Sequence, residues 1–335
     1  LNGLNNALEC DKYDQLPNAK GKVAPKFRKK NADRIWPNRI QFVIAGQDGL
    51  QGDDQTVAYK YFAAYVDSYT APLFADVDKG ARDEYLGSVA LIAARLAYQM
   101  KDMDKAVERV EQAVRNNEKI MVYGDYDVDG CTAVALVYKF LRQIGHKNLM
   151  FYIPDRYTEG YGISVKGIDL AARKGVGLII ALDCGIKATE KVVYAKTKGV
   201  DFIICDHHLP AEEIPKAVAV LDPKRVDCSY PFDELSGCGV GFKFMQAFAT
   251  SNGIEFNKLS SLLDLCAVSI ASDIVPIMGE NRILACQGLR CLNTNPSIGL
   301  RAIVEVCGLS ERELSMSDII FKILSLIHIS EPTRP

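Results

Sequence analysis

The chain has 335 residues, of which 48% are hydrophobic and 24% are charged, and its formal net charge at pH 7 is −2. This near-neutral charge excludes a global positive field as the means of attracting nucleic acid, so any such affinity must come from local basic surface. No apolar run reaches the ~20 residues that a membrane-spanning helix needs, which argues against a membrane partner. Ten cysteines without a Cys-x-x-Cys pair, in a chain with no secretory signal, are typical of a cytoplasmic protein.

The first hundred residues have a different character from the rest. Residues 18–39 are basic and loop-like and contain the only tryptophan, Trp36. Residues 56–99 then show apolar and aromatic side chains at helical spacing, and residues 93–114 resemble a tetratricopeptide helix–turn–helix. We therefore predict a mainly helical, tetratricopeptide-like segment over residues 1–100.

Beyond this segment, short apolar runs alternate with helical patterns. The apolar runs cover residues 120–123, 150–153, 176–182, 200–205 and 217–221, and the helical patterns cover residues 131–144, 165–173 and 188–198. Alternating strands and helices indicate βαβ units with a parallel sheet covered on both faces. The predicted fold class is α/β, a parallel sheet flanked by helices. In such sheets ligands bind beyond the carboxyl ends of the strands.

Three aspartates alternate directly after the first apolar run: Asp125, Asp127 and Asp129, followed by Gly130. An EF-hand loop is excluded, because the twelfth position counted from Asp125 is Leu136, where a bidentate glutamate would be required. A phosphate-binding loop is excluded because no Gly-Lys-Ser/Thr sequence follows. We expect these carboxylates to share one cation or to bridge two, and we expect Asp129 also to cap the following helix.

The tripeptide Asp206-His207-His208 follows the fourth apolar run and contains two of the four histidines of the chain. Imidazole beside carboxylate is ligand chemistry for a divalent transition metal. Taken alone, the tripeptide fits a solvated strand end equally well. Two other apolar runs also end in an acid, at Asp183 and Asp222, and this repetition favours a metal site at the carboxyl edge of the sheet.

Seven stretches of sequence carry a family resemblance. Four of them resemble the metal motifs of the DHH phosphoesterase superfamily in the same order: VYGDYDVDG at 122–130, LDCG at 182–185, CDHH at 205–208 and IASDIVP at 270–276. Three more are similar to its RecJ branch: YIPDRYTEGYGIS at 152–164, LSGCGVGFKF at 235–244 and GENRIL at 279–284. The resemblance predicts a DHH phosphoesterase domain over residues 101–324. It implies the activity of the RecJ branch, the single-strand-specific 5′→3′ exonucleases of bacterial DNA recombination and repair.

The resemblance also implies a centre of two Mn²⁺ or Mg²⁺ ions. The implied metal ligands are Asp125, Asp127, Asp129, Asp183, His207 and Asp273. Asp129 and Asp183 would be the bridging groups. The local sequence around Asp273, by contrast, favours a plain helix end, and only the resemblance makes it a ligand.

Three further residues receive roles beside the metals. Asp206 would orient the imidazole of His207, and His208 would face the scissile phosphate. Arg156, in the loop after the second strand, would clamp a phosphate, because guanidinium binds phosphate bidentately; an ordinary surface arginine is the alternative. The implied reaction is phosphodiester hydrolysis without a covalent intermediate, since no Ser-His or Cys-His pairing is present to form one.

Both ends of the chain depart from the family pattern. The segment KDMDKA at 101–106 belongs both to the tetratricopeptide-like stretch and to the start of the RecJ-like region, so we expect two unrelated sequences to be joined there; a divergent N-terminal domain is the alternative. Residues 325–335, SLIHISEPTRP, do not continue the RecJ pattern, and we expect them to be a non-native tail. A catalytic core without the second lobe of the family would have weak activity or none.

Three functions stay open on the sequence. The first is a RecJ-type exonuclease core acting on single-stranded DNA, with a helicase and a single-strand-binding protein as partners. The second is a DHH phosphodiesterase for short oligonucleotides or cyclic dinucleotides, or the related pyrophosphatase; Tyr123 counts against it, because those branches usually carry histidine there. The third is a non-catalytic DHH-fold or tetratricopeptide-like interaction protein, against which the retained ligands count.

Overall fold

Five parallel strands form the centre of the domain. The computed structural model describes residues 100–273 and 275–325, so the predicted helical segment before residue 100 and the end of the predicted tail lie outside the described residues. The strands are β1 (Lys119–Gly124), β2 (Leu149–Tyr152), β3 (Val176–Leu182), β4 (Asp201–Cys205) and β5 (Ala219–Leu221). Their order in the sheet is β2-β1-β3-β4-β5, and all four neighbouring pairs are parallel. The predicted α/β fold with a parallel sheet is confirmed.

The helices cover both faces of this sheet. They are α1 (Met103–Arg115), α2 (Val128–Gln143), α3 (Val165–Arg173), α4 (Thr189–Thr197), α5 (Gly237–Ser251), α6 (Phe256–Ser260), α7 (Leu263–Ser272), α8 (Gly279–Thr294), α9 (Ile298–Val306) and α10 (Met316–Asp318), and a π-helix (Ile319–Ile323) follows. None of the helices in the described ranges is long and apolar enough to cross a membrane.

Alternation along the strands separates the core into two layers. Neighbouring β3 residues illustrate this, because Ile180 belongs to the layer that includes residues of α1, α2, α5 and α7, while Ile179 belongs to the layer that includes residues of α3 and α4. Successive strand side chains point to opposite faces, so a strand covered on both sides must be apolar throughout. The run VGLIIAL of β3 satisfies this requirement, and all but one of its residues are buried.

The carboxyl ends of four strands lie in register. Gly124 pairs with Leu182, Leu182 with Cys205, and Cys205 with Leu221. The residue after each of these is an aspartate: Asp125, Asp183, Asp206 and Asp222. Four carboxylates therefore stand along one edge of the sheet, where parallel α/β domains bind their ligands.

The start of α2 differs from the expectation for the aspartate turn. Asp127 caps the helix, because its Oδ1 accepts a hydrogen bond of 2.8 Å from the amide of Gly130. Asp129 lies inside the first turn and is buried. The expectation that Asp129 caps this helix is wrong, and the reason is that the helix begins three residues before the predicted start. The side chain of Asp129 is thus available to groups outside its own helix.

Helices α7 and α8 pack closely at Gly288, and this contact gives a test of the fold. A Cβ added there would lie 2.1 Å from the carbonyl oxygen of Leu263 and 2.8 Å from the Cβ of Ala267. Because the nearest atom is backbone, the helices would have to separate, and we expect Gly288→Ala to cost about 3 kcal/mol in the free energy of unfolding measured in urea. Gly299→Ala in α9 is the matched control, since a Cβ there meets nothing within 4 Å. Equal midpoints for the two variants would contradict this packing.

Candidate metal centre

One imidazole and three carboxylates converge beyond the carboxyl edge of the sheet. His207, just after β4, places its Nε2 3.1 Å from Oδ1 of Asp183, the residue after β3. The same nitrogen lies 3.4 Å from Oδ2 of Asp273, at the end of α7, and 3.8 Å from Oδ2 of Asp129 in α2. Four separate elements thus bring their polar side chains to one point.

Most of the polar atoms at this point have no partner among the described residues. Both carboxylate oxygens of Asp183, both ring nitrogens of His207 and Oδ2 of Asp273 are buried without a hydrogen bond. Buried polar atoms in folded proteins are nearly always paired, so such a group indicates a ligand that completes it. A divalent cation with a preference for oxygen and imidazole nitrogen, such as Mn²⁺, fits this donor set.

The same carboxylates have perturbed acidities. Burial, together with the charges of Asp129 and Asp127, raises the pKa of Asp273 to about 7 and holds that of Asp183 well above its usual range. Burial lowers the pKa of His207, which leaves the ring neutral with a nitrogen lone pair to offer. The cluster carries more negative charge than its surroundings balance, and a bound cation would relieve this excess.

Asp183 is held in an unusual backbone conformation. Its φ of 58° lies in the left-handed region, which residues other than glycine, asparagine and aspartate seldom adopt. Its amide still donates to the carbonyl of Cys205 at 2.8 Å, so the turn begins directly where the sheet ends. Gly237 leaves room for this side chain, because a Cβ there would lie 2.5 Å from Oδ1 of Asp183.

The carboxylate of Asp129 accepts hydrogen bonds from three groups that were not predicted from the sequence. The amide of Gly237 donates to Oδ2 at 2.6 Å, and the amide of Cys238 donates to Oδ1 at 2.8 Å. The hydroxyl of Ser269 also donates to Oδ1, at 2.7 Å. The two amides belong to the N-terminus of α5, which favours negative charge. More than a hundred residues separate these donors from Asp129 in the chain, so only the motif LSGCGVGF hinted at a role for that segment.

The role expected of Asp206 is wrong in one respect. Its Oδ1 lies 2.7 Å from Nδ1 of His208, so it orients the ring of His208 and not that of His207. Its contact with His207 is to the backbone amide, at 2.8 Å, and its Oδ2 accepts from the amide of Ile186 at 2.8 Å. The strand has ended here, so alternation no longer decides which neighbouring ring faces the carboxylate.

His208 is fixed at both ring nitrogens. Its Nδ1 donates to Asp206, because a carboxylate only accepts, and its Nε2 lies 3.0 Å from the hydroxyl of Tyr161. The side chain is 42% exposed, so it borders the open side of the cluster. The hydrogen bond with Asp206 raises the pKa of His208 above its usual value, and the ring carries positive charge more readily there. Tyr161 lies in the RecJ-like motif at 152–164, but no role was predicted for it.

The remaining predicted residues lie beside the cluster. The described part of the chain contains two groups of residues whose ligand atoms, within each group, all lie within 4.8 Å of one another. They are Asp183–His207–His208 and Asp129–His207–Asp273. Asp125 and Asp127 belong to neither of these groups. Asp125 is buried, and this burial raises its pKa to about 6. A ligand role for both aspartates stays a prediction.

Arg156 lies in the exposed loop after β2. Its guanidinium carbon is 5.0 Å from the ring centroid of Tyr126, within the range of a cation–π contact. Tyr126 stands between Asp125 and Asp127 in the chain, so the arginine is anchored beside the aspartate turn. Its role as a phosphate clamp stays a prediction.

Asp222, for which the sequence predicted no individual role, allows a test of how burial changes the pKa of a carboxyl at this edge of the sheet. It is fully buried, its Oδ1 accepts from the amide of Lys224 at 2.8 Å, and burial raises its pKa to about 7. A carboxyl whose folded pKa exceeds its unfolded value of about 3.9 destabilises the fold increasingly as pH rises between the two values. Asp222→Asn should therefore stabilise the protein at pH 8 by on the order of 2 kcal/mol, since one pKa unit corresponds to about 1.4 kcal/mol and imperfect packing of the amide offsets part of the gain.

Urea unfolding at two pH values checks this prediction. The electrostatic part of the gain should fall at pH 5 to about a third of its value at pH 8, because most of the Asp222 side chains then carry a proton in the folded state, and the packing offset should then cancel the net gain. Asp233→Asn, at an exposed position, is the control and should change stability at neither pH. A gain for Asp222→Asn that is the same at both pH values would contradict the titration of this group.

An α/β domain that gathers carboxylates and a neutral imidazole at the carboxyl edge of its sheet is one that can bind divalent cations. Residues 119–270 match the family model described as the DHH family, N-terminal domain, so this part of the chain is similar to that family. This match confirms the resemblance to the DHH superfamily that was found in the sequence.

Two named relatives are similar to the same region of the chain. Over 211 residues the chain is 40% identical to the single-stranded-DNA-specific exonuclease RecJ of Bacillus subtilis (strain 168), covering 63% of this chain and 26% of that protein. Over 233 residues it is 35% identical to the RecJ of Escherichia coli (strain K12), covering 67% and 40%. The chain therefore spans about a quarter to two fifths of the length of these relatives.

A solved structure agrees as well. The domain is similar to a crystal structure of exonuclease RecJ bound to manganese, with a TM-score of 0.60 and 29% identity over 67% of this chain and 56% of that one.

Proposed function

We propose that this domain hydrolyses the phosphodiester bonds of single-stranded DNA as a RecJ-type 5′→3′ exonuclease, with Mn²⁺ or Mg²⁺ as cofactor. The observation that carries the proposal is the convergence of His207 with Asp129, Asp183 and Asp273, whose buried polar atoms are largely unpaired. The similarity of the same region to RecJ proteins of several bacteria supports the choice of substrate.

The pattern of free oxygen atoms suggests which residues would hold the ions. A carboxylate offers about four lone-pair positions. Asp129 already uses three of them for Gly237, Cys238 and Ser269, so it would bind one ion, through Oδ2. Asp183 uses none and is the better candidate for a bridge between two ions. Asp183 would therefore be the residue shared by the two ions, and Asp129 would hold only one of them.

The residues around the ions would bind and orient the DNA phosphate. Two divalent cations would supply Lewis-acid activation of water and neutralise the leaving oxygen. Although burial favours its neutral form, hydrogen bonds from His208 and from backbone amides keep the pKa of Asp206 below its usual value. Asp206 therefore holds His208 in a fixed orientation and favours its protonated ring, whose positive charge would attract a phosphate oxygen while Nε2 stays bonded to the hydroxyl of Tyr161. Arg156 would supply a second positive group beside the aspartate turn.

Release of nucleotides from 5′-labelled single-stranded DNA tests the proposal. The protein should be in molar excess over the DNA, so that a single slow turnover is detected, and Mn²⁺ should be compared with EDTA. We expect release that requires Mn²⁺ and that falls at least a hundredfold in Asp129→Ala. Release that does not require Mn²⁺, or equal release by the variant, would contradict the proposal.

Parallel substrates separate the alternatives. Cleavage of dinucleotides or cyclic dinucleotides without cleavage of longer DNA would favour the second function class, and pyrophosphate hydrolysis would favour the pyrophosphatase. Association with a helicase or a single-strand-binding protein stays a prediction. A cytoplasmic location is also proposed, and the nine described cysteines, all free thiols, support it.

A further inference from the structure

Two buried serines connect the N-terminus of α5 to the cluster. The amide of Gly239 donates to Oγ of Ser236 at 3.1 Å, and this hydroxyl lies 2.6 Å from Oγ of Ser269. Ser269 in turn donates to Oδ1 of Asp129 at 2.7 Å. Both serines are fully buried and Asp129 is 1% exposed, so water does not compete for these bonds.

The direction of every bond in this row is determined. A carboxylate can only accept, so the proton of Ser269 points to Asp129. Ser269 has no second hydroxyl proton to donate. In the 2.6 Å contact between the two hydroxyls, Ser236 is therefore the donor and Ser269 the acceptor. Ser236 accepts from the Gly239 amide, as the capping residue of α5. The row runs in one direction, from the helix amide to the carboxylate.

The row decides which oxygen of Asp129 is left for an ion. Oδ1 receives two donors, from Ser269 and the Cys238 amide, whereas Oδ2 receives only the Gly237 amide and is the oxygen nearest to His207. Without the Ser269 hydroxyl, one lone pair of Oδ1 would be free, and the carboxylate could rotate or bind an ion through both oxygens. Partners of this kind fix the orientation of the ligand itself.

We propose that Ser269, supported by Ser236, is a positioning residue that holds Asp129 as a ligand through Oδ2 alone and thereby sets the affinity of the metal centre. This inference rests on the proposed metal-dependent function. It goes beyond that function because neither serine touches an ion or the DNA in the proposed mechanism. The two serines act only through Asp129.

Equilibrium binding of Mn²⁺ to the full chain in the absence of DNA tests this proposal, with the free ion followed by electron paramagnetic resonance. We expect Ser269→Ala to weaken the tighter site by about 10- to 100-fold, the loss typical for a partner that orients a metal ligand. The melting temperature in EDTA should change little, since the hydroxyl orients Asp129 more than it supports the core. Ser269→Cys, which has a similar size and a weak S–H donor, should bind Mn²⁺ with an affinity between those of the unmodified chain and Ser269→Ala. Ser251→Ala, whose hydroxyl bonds only Glu111 among the described contacts, should leave binding unchanged.

The double variant distinguishes a connected row from two independent serines. Because Ser236 acts through Ser269, the affinity of Ser236→Ala/Ser269→Ala should equal that of Ser269→Ala alone. Ser236→Ala by itself should lower the melting temperature in EDTA, through loss of the helix cap, and weaken Mn²⁺ binding less than Ser269→Ala does.

The outcomes separate the positioning role from the proposed function. Binding within twofold of the unmodified chain for both Ser269→Ala and Ser269→Cys would overturn the positioning role and leave the metal-dependent function standing. Absence of Mn²⁺ binding by the unmodified chain would overturn both. Additive losses in the double variant would overturn the connected row.

Discussion

Asp183→Asn is expected to reduce Mn²⁺-dependent hydrolysis of single-stranded DNA by about 10³-fold or more, and at the same time to raise the melting temperature of the metal-free protein. Asparagine keeps the size of the side chain and tolerates the left-handed φ of 58° at this position. It removes the one buried carboxylate, among the residues that the structure describes, whose two oxygens both lack a hydrogen bond. In the proposed mechanism this residue would hold both ions, so its loss would remove a charge on which the centre depends.

The variant should be more stable although it is less active, because the buried Asp183 carboxylate destabilises the folded state when no cation is bound. Burial and the charges of Asp129 and Asp127 raise its pKa, and a raised folded pKa means that ionisation above the unfolded value of about 3.9 destabilises the folded state. The variant should therefore melt a few degrees higher in EDTA at pH 7.5, and this difference should disappear near pH 4.

Calorimetry with EDTA or with Mn²⁺ checks both parts. Saturating Mn²⁺ should stabilise the unmodified protein much more than the variant, by mass action on the folded state. Asp233→Asn, exposed at the surface, should show neither the activity loss nor the shift in EDTA. A variant that keeps its activity, or that melts lower than the unmodified protein in EDTA, would contradict the role given to Asp183.

Gly237→Ala is expected to have the second-largest effect, with a loss of Mn²⁺ binding and activity of at least about a hundredfold. The added Cβ would lie 2.5 Å from Oδ1 of Asp183 and 2.6 Å from its Cβ, closer than such atoms can approach. Asp183 has little freedom to retreat, since its amide is tied to Cys205. Either the carboxylate or the start of α5 must shift, and the second change would also displace the amides that hold Asp129.

Gly239→Ala is the matched control for this substitution. It lies in the same first turn of α5, and its added Cβ would approach no atom closer than Oγ of Ser236, at 3.3 Å. The overpacking at Gly237 should also cost about 2 kcal/mol in urea unfolding, while the control should lie within about 1 kcal/mol of the unmodified protein. Similar Mn²⁺ affinities for the two variants would show that close approach at Gly237 is irrelevant to the site.

Much of the fold follows from local sequence patterns. The bounds of β3 and α3 agree with the predicted ranges to the residue, because a buried apolar run and an amphipathic helix each have a distinct period. The start of α2 was missed because capping depends on one hydrogen bond, and three aspartates in alternation offered three candidates for it. The order of strands in the sheet depends on crossovers that no local pattern specifies.

The site was predictable where its residues end strands, and less so elsewhere. Asp183 directly follows β3, and His207 lies two residues after the end of β4. Their place at the edge therefore follows from the parallel sheet. Asp273 ends a helix, and only the family resemblance distinguished it from an ordinary helix end. The roles of Ser269 and Gly237 could not be assigned from the sequence, since their contacts with Asp129 and Asp183 join distant parts of the chain. Which histidine ring Asp206 orients was decided by the backbone turn after β4.

Anomalous diffraction from crystals grown with Mn²⁺ tests most directly the central claim, that the carboxyl edge of this sheet is a metal centre. We predict manganese peaks beside the carboxylate of Asp183, one of them bounded by Asp129, His207 and Asp273, and no peaks there in Asp183→Asn. Manganese bound only elsewhere on the protein, or an unchanged peak in the variant, would contradict the claim.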